Sequence, residues 1–166
     1  IRHGEKIGDE GGLTNFGKRQ IRLLAKRLLK EKISKIYSSD LTRCKETSEI
    51  ISKEIKIPIT YNLSLREVPS AVKENSEMYK KEIDIIKEFF NNINNTTKDD
   101  ENILISSSGI VIRILLSLFL NILPKNANFM QYPSGLTKVE KIRGRFRVWF
   151  INDTSHLPYE IKRIQN

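Results

Sequence analysis

Close to the start of the chain, Arg2-His3-Gly4 sets one of only two histidines between an arginine and a glycine. A neutral imidazole keeps a free lone pair on one ring nitrogen and can accept a phosphoryl group there. A hydrogen bond at the other nitrogen fixes its tautomer and aim. Neighbouring cations favour the neutral ring and also hold phosphate oxygens. Arg2 and Arg43 carry the planar fork suited to both tasks, and Gly4 lets a phosphate come close to the backbone. Alone, Arg-His-Gly is a weak signal, because a surface-loop histidine produces the same three letters.

These groups need a scaffold. The 166 residues suit one domain with a single core. Almost no strand precedes Arg2, so an apolar strand upstream of Ile1 is expected. Thr14 is the expected N-cap of a helix whose apolar face holds Ile21, Leu24, Ala25, Leu28 and Leu29. A strand is expected over Ile33–Ser38, a helix with Asp40 as N-cap over residues 41–56, and a short strand over Ile59–Tyr61 after Pro58. The pattern predicts a third helix over residues 75–93 and a continuous apolar strand over 103–105. A turn over 106–109 and a helix over 110–123, stopped by Pro124, complete that part. Residues 136–142 and 146–151 flank Arg143-Gly144-Arg145 as a hairpin.

Strand–helix alternation of this kind predicts an α/β fold: a three-layer sandwich, its central sheet mostly parallel, with helices on both faces and a C-terminal hairpin. Ligands bind such sheets where loops leave the C-terminal strand ends. Arg2-His3-Gly4, Ser38-Ser39-Asp40 and the turn over 106–109 are the three polar turns expected at that edge.

Composition narrows the partners. Apolar residues make up 39% and charged residues 30%, which excludes a disordered or membrane-embedded chain. The longest apolar run, 110–123, is interrupted and too short to span a bilayer. The single cysteine, Cys44, excludes an internal disulfide and fits a reducing, cytoplasmic compartment. The net charge of +9 attracts phosphate-bearing partners. The lysines are scattered and form no stripe interleaved with aromatics, which argues against nucleic acid. Two histidines and dispersed carboxylates show no metal-ligand spacing, and no cofactor is implied.

Around Arg43 the pattern becomes specific. Ser39-Asp40-Leu41-x-Arg43-x-x-x-Thr47, together with Arg2-His3-Gly4, resembles the histidine phosphatase (phosphoglycerate mutase-like) superfamily. Leu13-Thr14-x-x-Gly17-x-x-Gln20, Leu65-Arg66-Glu67, Ser107-Ser108-Gly109-x-x-x-Arg113 and Asn152-Asp153-x-x-His156-Leu157 extend the resemblance over nearly the whole chain. The resemblance implies that His3 is the phosphorylated nucleophile and that Arg2 and Arg43 bind the phosphoryl group. It implies that Glu67 is the general acid, then the base for water. Thr14 and Thr47 read as caps or packing residues, and His156 as a structural histidine of the tail, with entry into the pocket as its alternative. The short chain is similar to the protein phosphohistidine phosphatases and small broad-specificity phosphatases of the family.

One residue departs from the pattern. Ser108 stands where the family has a second histidine that donates to the phosphoryl group. Serine still offers one hydroxyl from a shorter reach, and losing a preorganised donor costs about 10²–10³ in rate. A slower natural phosphatase, an inactive phosphate-binding module and an engineered substitution all fit. The expected activity is metal-independent hydrolysis of phosphomonoesters, with a phosphorylated small molecule or phosphoprotein as partner. The alternative is a weakened or inactive phosphate- or phosphoprotein-binding module. The hairpin edge over 146–151 is a surface that a second subunit could pair with.

Overall fold

The computed structural model describes residues 1–69, 72 and 76–161. Three parallel strands, β1 (Ile33–Ser38), β2 (Ile59–Tyr61) and β3 (Asn102–Ser106), lie in the order β2-β1-β3. Their register sets Ser38 beside both Tyr61 and Ser106, so these strands end at one level. Residues 1–3 lie along the free side of β3: Arg2 bridges Ser107 in parallel, and the His3 amide donates to the Ser107 carbonyl at 3.1 Å. On their other side the Arg2 amide donates to Gly135 and the Ser134 amide to His3, at 3.2 and 3.1 Å. The first residues therefore join the parallel sheet to the chain entering the antiparallel hairpin of β4 (Leu136–Ile142) and β5 (Arg145–Asp153). A cavity of about 460 Å³, lined by apolar and charged side chains alike, lies between β3 and β4.

Four helices cover the two faces: α1 (Asn15–Leu28), α2 (Thr42–Ile55), α3 (Glu77–Thr96) and α4 (Gly109–Leu120). Alternate strand residues point to opposite sides. Ile36 and Leu104 pack with Ile21, Leu24 and Ile51 of α1 and α2, while Tyr37 and Ile105 pack with Ile86, Phe89, Val111 and Ile114 of α3 and α4. The helix bearing Arg43 thus sits on one face and the helix that follows Ser108 on the other.

Most element ends follow local chemistry visible in the sequence. The Thr14 hydroxyl caps α1 by accepting from the Gly17 amide at 2.9 Å, as expected. The hairpin turn has φ of 50° at Arg143 and 75° at Gly144, the two-residue turn whose twist matches its strands. Three expectations are corrected. Asp40 does not cap α2; its carboxylate holds the Arg66 guanidinium through two bonds of 2.8 and 2.6 Å, and Leu41 takes the cap position without a side-chain bond. Helix α4 ends at Leu120, not 123, because Asn121 turns left-handed (φ 53°) and donates to Leu118 and Ser117. Helix α3 runs on to Thr96, with Ser76 as its cap, and Asn75, its expected start, lies outside the described residues.

Gly4 and Gly17 let α1 lie against the first loop. A side-chain carbon on Gly4 would stand 2.7 Å from the Gly17 carbonyl oxygen, and one on Gly17 would overlap the Glu5 carbonyl. The close approach at Gly4 is therefore demanded by α1 itself, a constraint beyond the phosphate access inferred from the sequence. Because the obstacle is backbone on both sides, Gly17→Ala is expected to destabilise the fold by about 1–3 kcal/mol. Urea unfolding measures this, and an unchanged midpoint would contradict the packing described.

Candidate active site

The parallel strands deliver three polar turns to one edge. The Ser39 amide donates to the Ser106 carbonyl at 3.0 Å, and the His3 amide donates to Ser107 beside it. The Ser107 hydroxyl donates to the Leu65 carbonyl at 2.7 Å, which ties the segment carrying Glu67 to the same edge.

His3 is 1% exposed, and its Nδ1 lies 2.8 Å from the Gly4 carbonyl oxygen. A carbonyl can only accept, so Nδ1 carries the proton and Nε2 keeps the lone pair. Burial pushes the imidazole pKa down to about 3, and the charges of Arg2, Arg43 and Lys6 push the same way, against the opposing pull of the Gly4 hydrogen bond. The ring is thus neutral across the physiological range, with one defined tautomer.

Arg43 comes from the first turn of α2, is buried, and pairs with the Glu67 carboxylate. Its Nη1 also donates to the Asp9 carbonyl at 3.4 Å, while its Nε is buried without a partner. Glu67 is partly open, with 30% of its side chain exposed. Arg2 donates from Nη1 to the Gln131 carbonyl, and its Nε is likewise buried and unpartnered. Burial lowers the Arg2 pKa, while Glu67 raises it and Arg43 lowers it through their charges. Ser108 is fully buried at the N-cap of α4, and its hydroxyl neither caps the helix nor bonds anything else. The structure therefore gathers His3, Arg2, Arg43, Glu67 and Ser108 around one strand edge, below the free N–H groups of α4, an arrangement suited to an anion.

Several residues hold this arrangement through contacts that the sequence does not show. The Thr47 hydroxyl accepts from the Gly4 amide at 3.3 Å, and the Gln20 side chain accepts from the Glu5 amide at 3.0 Å. Lys6 closes its loop on the Gly8 and Asp9 carbonyls at 2.7 and 3.1 Å. Asn152 adopts φ of 56° and accepts from the Tyr132 amide at 2.7 Å, which fixes the loop over 131–135 against Arg2 and His3. The Asn152-Asp153 motif was visible as a signature, but only the fold shows what it grips. Asp153 and Ser155 hold Arg27 in the last turn of α1 at 2.6 and 2.7 Å. Ten residues of helix separate Arg27 from Gly17, about 15 Å, so His156, next to Ser155, belongs to that far end.

Cys44 is fully buried, and burial pushes its thiol pKa up to about 12, so it is no nucleophile. Among the described residues no group of three His, Cys, Asp or Glu side chains could hold a metal ion, and no helix is long and apolar enough to cross a membrane.

Comparison with known proteins places these features in context. Residues 1–84 match the model of the histidine phosphatase superfamily (branch 1). A probable phosphoglycerate mutase GpmB from Photorhabdus laumondii is 36% identical, and one from Yersinia pestis 33%, each over 45% of this chain. The matched part spans only 39% of either relative's length. Among solved structures, YhfR of Bacillus stearothermophilus superposes with a TM-score of 0.79 at 22% identity, covering 93% of this chain and 96% of that one. The phosphoserine phosphatase of Entamoeba histolytica, solved with 3-phosphoglyceric acid, gives 0.76 at 20% identity over 95% and 97%. The alpha-ribazole phosphatase of Shigella flexneri gives 0.80 at 16% over 93% and 95%. At these identities the superpositions show a common fold.

The depressed His3 pKa makes stability depend on pH. Above the ordinary imidazole pKa of 6.5 the ring is neutral in both folded and unfolded chains, and the stability is fully present. As pH falls from there toward about 3, the unfolded chain binds a proton that the folded chain refuses, so stability is lost. Between pH 7 and 5 the protein is expected to lose about 2 kcal/mol more than a His3→Gln variant. Urea unfolding at the two pH values measures the difference; equal losses would show that the folded ring takes up the proton too.

Proposed function

Because this chain belongs to the histidine phosphatase superfamily (branch 1), we propose that it is a metal-independent phosphatase that hydrolyses phosphomonoesters through a phosphohistidine on His3. The observation that carries this reading is the state of His3: buried, neutral, with Nδ1 committed to the Gly4 carbonyl and Nε2 left as the nucleophile beside two guanidinium groups.

In the first step the Nε2 lone pair attacks phosphorus and the ester P–O bond breaks. A protonated Glu67 carboxyl gives its proton to the leaving oxygen, which departs as the alcohol. The imidazole becomes cationic as Nε2 is phosphorylated, and its Nδ1–H stays bonded to the Gly4 carbonyl. Arg2 and Arg43 hold the non-bridging oxygens, and the phosphoryl group takes the Arg43 fork from Glu67. In the second step the Glu67 carboxylate takes a proton from water, the water oxygen attacks phosphorus, and the P–N bond breaks. Inorganic phosphate leaves, the lone pair returns to Nε2, and Glu67 is protonated again.

Phosphorylated small molecules are the favoured substrate class. Phosphoserine phosphatase and alpha-ribazole phosphatase, which share the fold, act on compounds of that kind by name, and the curated relatives are named as phosphoglycerate mutases. A phosphoprotein carries the same monoester or phosphoramidate group and remains a second substrate of the same site. The unpartnered Ser108 hydroxyl favours a slower reaction than a histidine donor would give.

Turnover of p-nitrophenyl phosphate tests the reading, with His3→Ala expected to abolish it. Ser108→His is expected to raise kcat by about 10²–10³, the worth of one preorganised donor. Wild-type activity no greater than that of His3→Ala would leave only a phosphate-binding module.

A further inference from the structure

Beside the proposed catalytic groups lies a side chain to which the mechanism gives no task. Gln131 stands in the loop ahead of β4 and is 6% exposed, yet neither its Nε2 nor its Oε1 meets a hydrogen-bond partner. A buried amide left unsatisfied destabilises a fold, and apolar side chains of the same size would avoid the penalty. Its position is well defined. Its carbonyl receives Arg2 Nη1, and the next amide, Tyr132, donates to Asn152. A side-chain carbon built on Gly109, the first residue of α4, would lie 3.7 Å from Gln131 Cβ and 3.9 Å from Arg2 Nε. Gln131 therefore borders the first turn of α4 on the same side as the Arg2 guanidinium. The Ser108 hydroxyl, adjacent in the chain to Gly109, is buried and unpartnered as well.

The unpartnered groups around the first turn of α4 have one feature in common. Gln131 Nε2, Arg2 Nε, Ser108 Oγ and the free amides of the α4 N-terminus can all give a hydrogen bond, and a phosphoryl group supplies acceptors. We propose that Gln131 binds the phosphoryl group, its amide donating to a non-bridging oxygen next to Arg2. It adds a neutral donor on the α4 side of the pocket, where Ser108 provides only a short hydroxyl. This rests on the phosphatase reading for its place in the reaction, but not for its test, because binding of inorganic phosphate needs no turnover.

Gln131→Met keeps the length of the side chain and removes both polar ends. Inorganic phosphate is titrated calorimetrically into the full chain and the variant, and both are melted in phosphate-free buffer. The variant is expected to melt at the same temperature or higher, since an unsatisfied amide is gone, and to bind phosphate about tenfold more weakly, since a hydrogen bond to a charged group is lost. Gln131→Glu, which sets a carboxylate against the phosphate, is expected to weaken binding further. Equal phosphate affinity in the wild type and Gln131→Met would overturn the assignment while leaving the phosphatase reading intact. A wild type that binds no phosphate would overturn it too, and p-nitrophenyl phosphate turnover would then decide the phosphatase reading separately. A lower melting temperature in Gln131→Met with unchanged affinity would identify the residue as structural.

Discussion

The hydrogen bond from His3 Nδ1–H to the carbonyl of its neighbour Gly4 is the contact on which the rest of the site depends. It fixes the tautomer, and the tautomer decides which nitrogen can react. It would be a minor bond on the surface, where imidazole exchanges protons with water. Buried beside two guanidinium groups, the ring is held neutral and the arrangement has one outcome.

A bond between adjacent residues depends on the backbone that presents it. The peptide of Gly4 is fixed from several sides: its amide reaches Thr47 on α2, the next amide reaches Gln20 on α1, and the His3 carbonyl receives Ser134. The contact between Gly4 and Gly17 brings α1 close enough for these bonds to form. The first loop is thus gripped by two helices and by the chain entering the hairpin. That rigidity contrasts with the unsatisfied groups it surrounds, among them Arg2 Nε, Arg43 Nε, Ser108 Oγ and the Gln131 amide. Burial without a partner costs stability, and at this strand edge a bound anion would offer acceptors to several of these groups at once.

Much of this was legible in the sequence because it is encoded locally. Strand–helix alternation, the Thr14 cap and the Arg143-Gly144 turn each follow from a few neighbouring residues, and Arg43 is marked by its spacing from Ser39-Asp40. What escaped depends on long-range geometry. Asp40 had the chemistry of a cap, but the fold brought Arg66 within reach and a two-bond ion pair displaced that role. Gln131 has no motif around it; only the junction of residues 1–3 with the chain entering β4 brings it beside Arg2. The task of Asn152 depends on a loop twenty positions earlier in the chain. In sequence Gly4 offers an opening for phosphate, whereas in the fold its tightest neighbour is a carbonyl of α1.

The protonation state of His3 is the most direct test. In ¹⁵N-labelled protein, imidazole nitrogen shifts distinguish Nδ1–H, Nε2–H and the doubly protonated ring. Recorded from pH 8 down to 5, His3 is expected to remain the neutral Nδ1–H tautomer throughout, with Nε2 unprotonated. An imidazolium appearing near pH 6.5, or a proton on Nε2, would contradict the account.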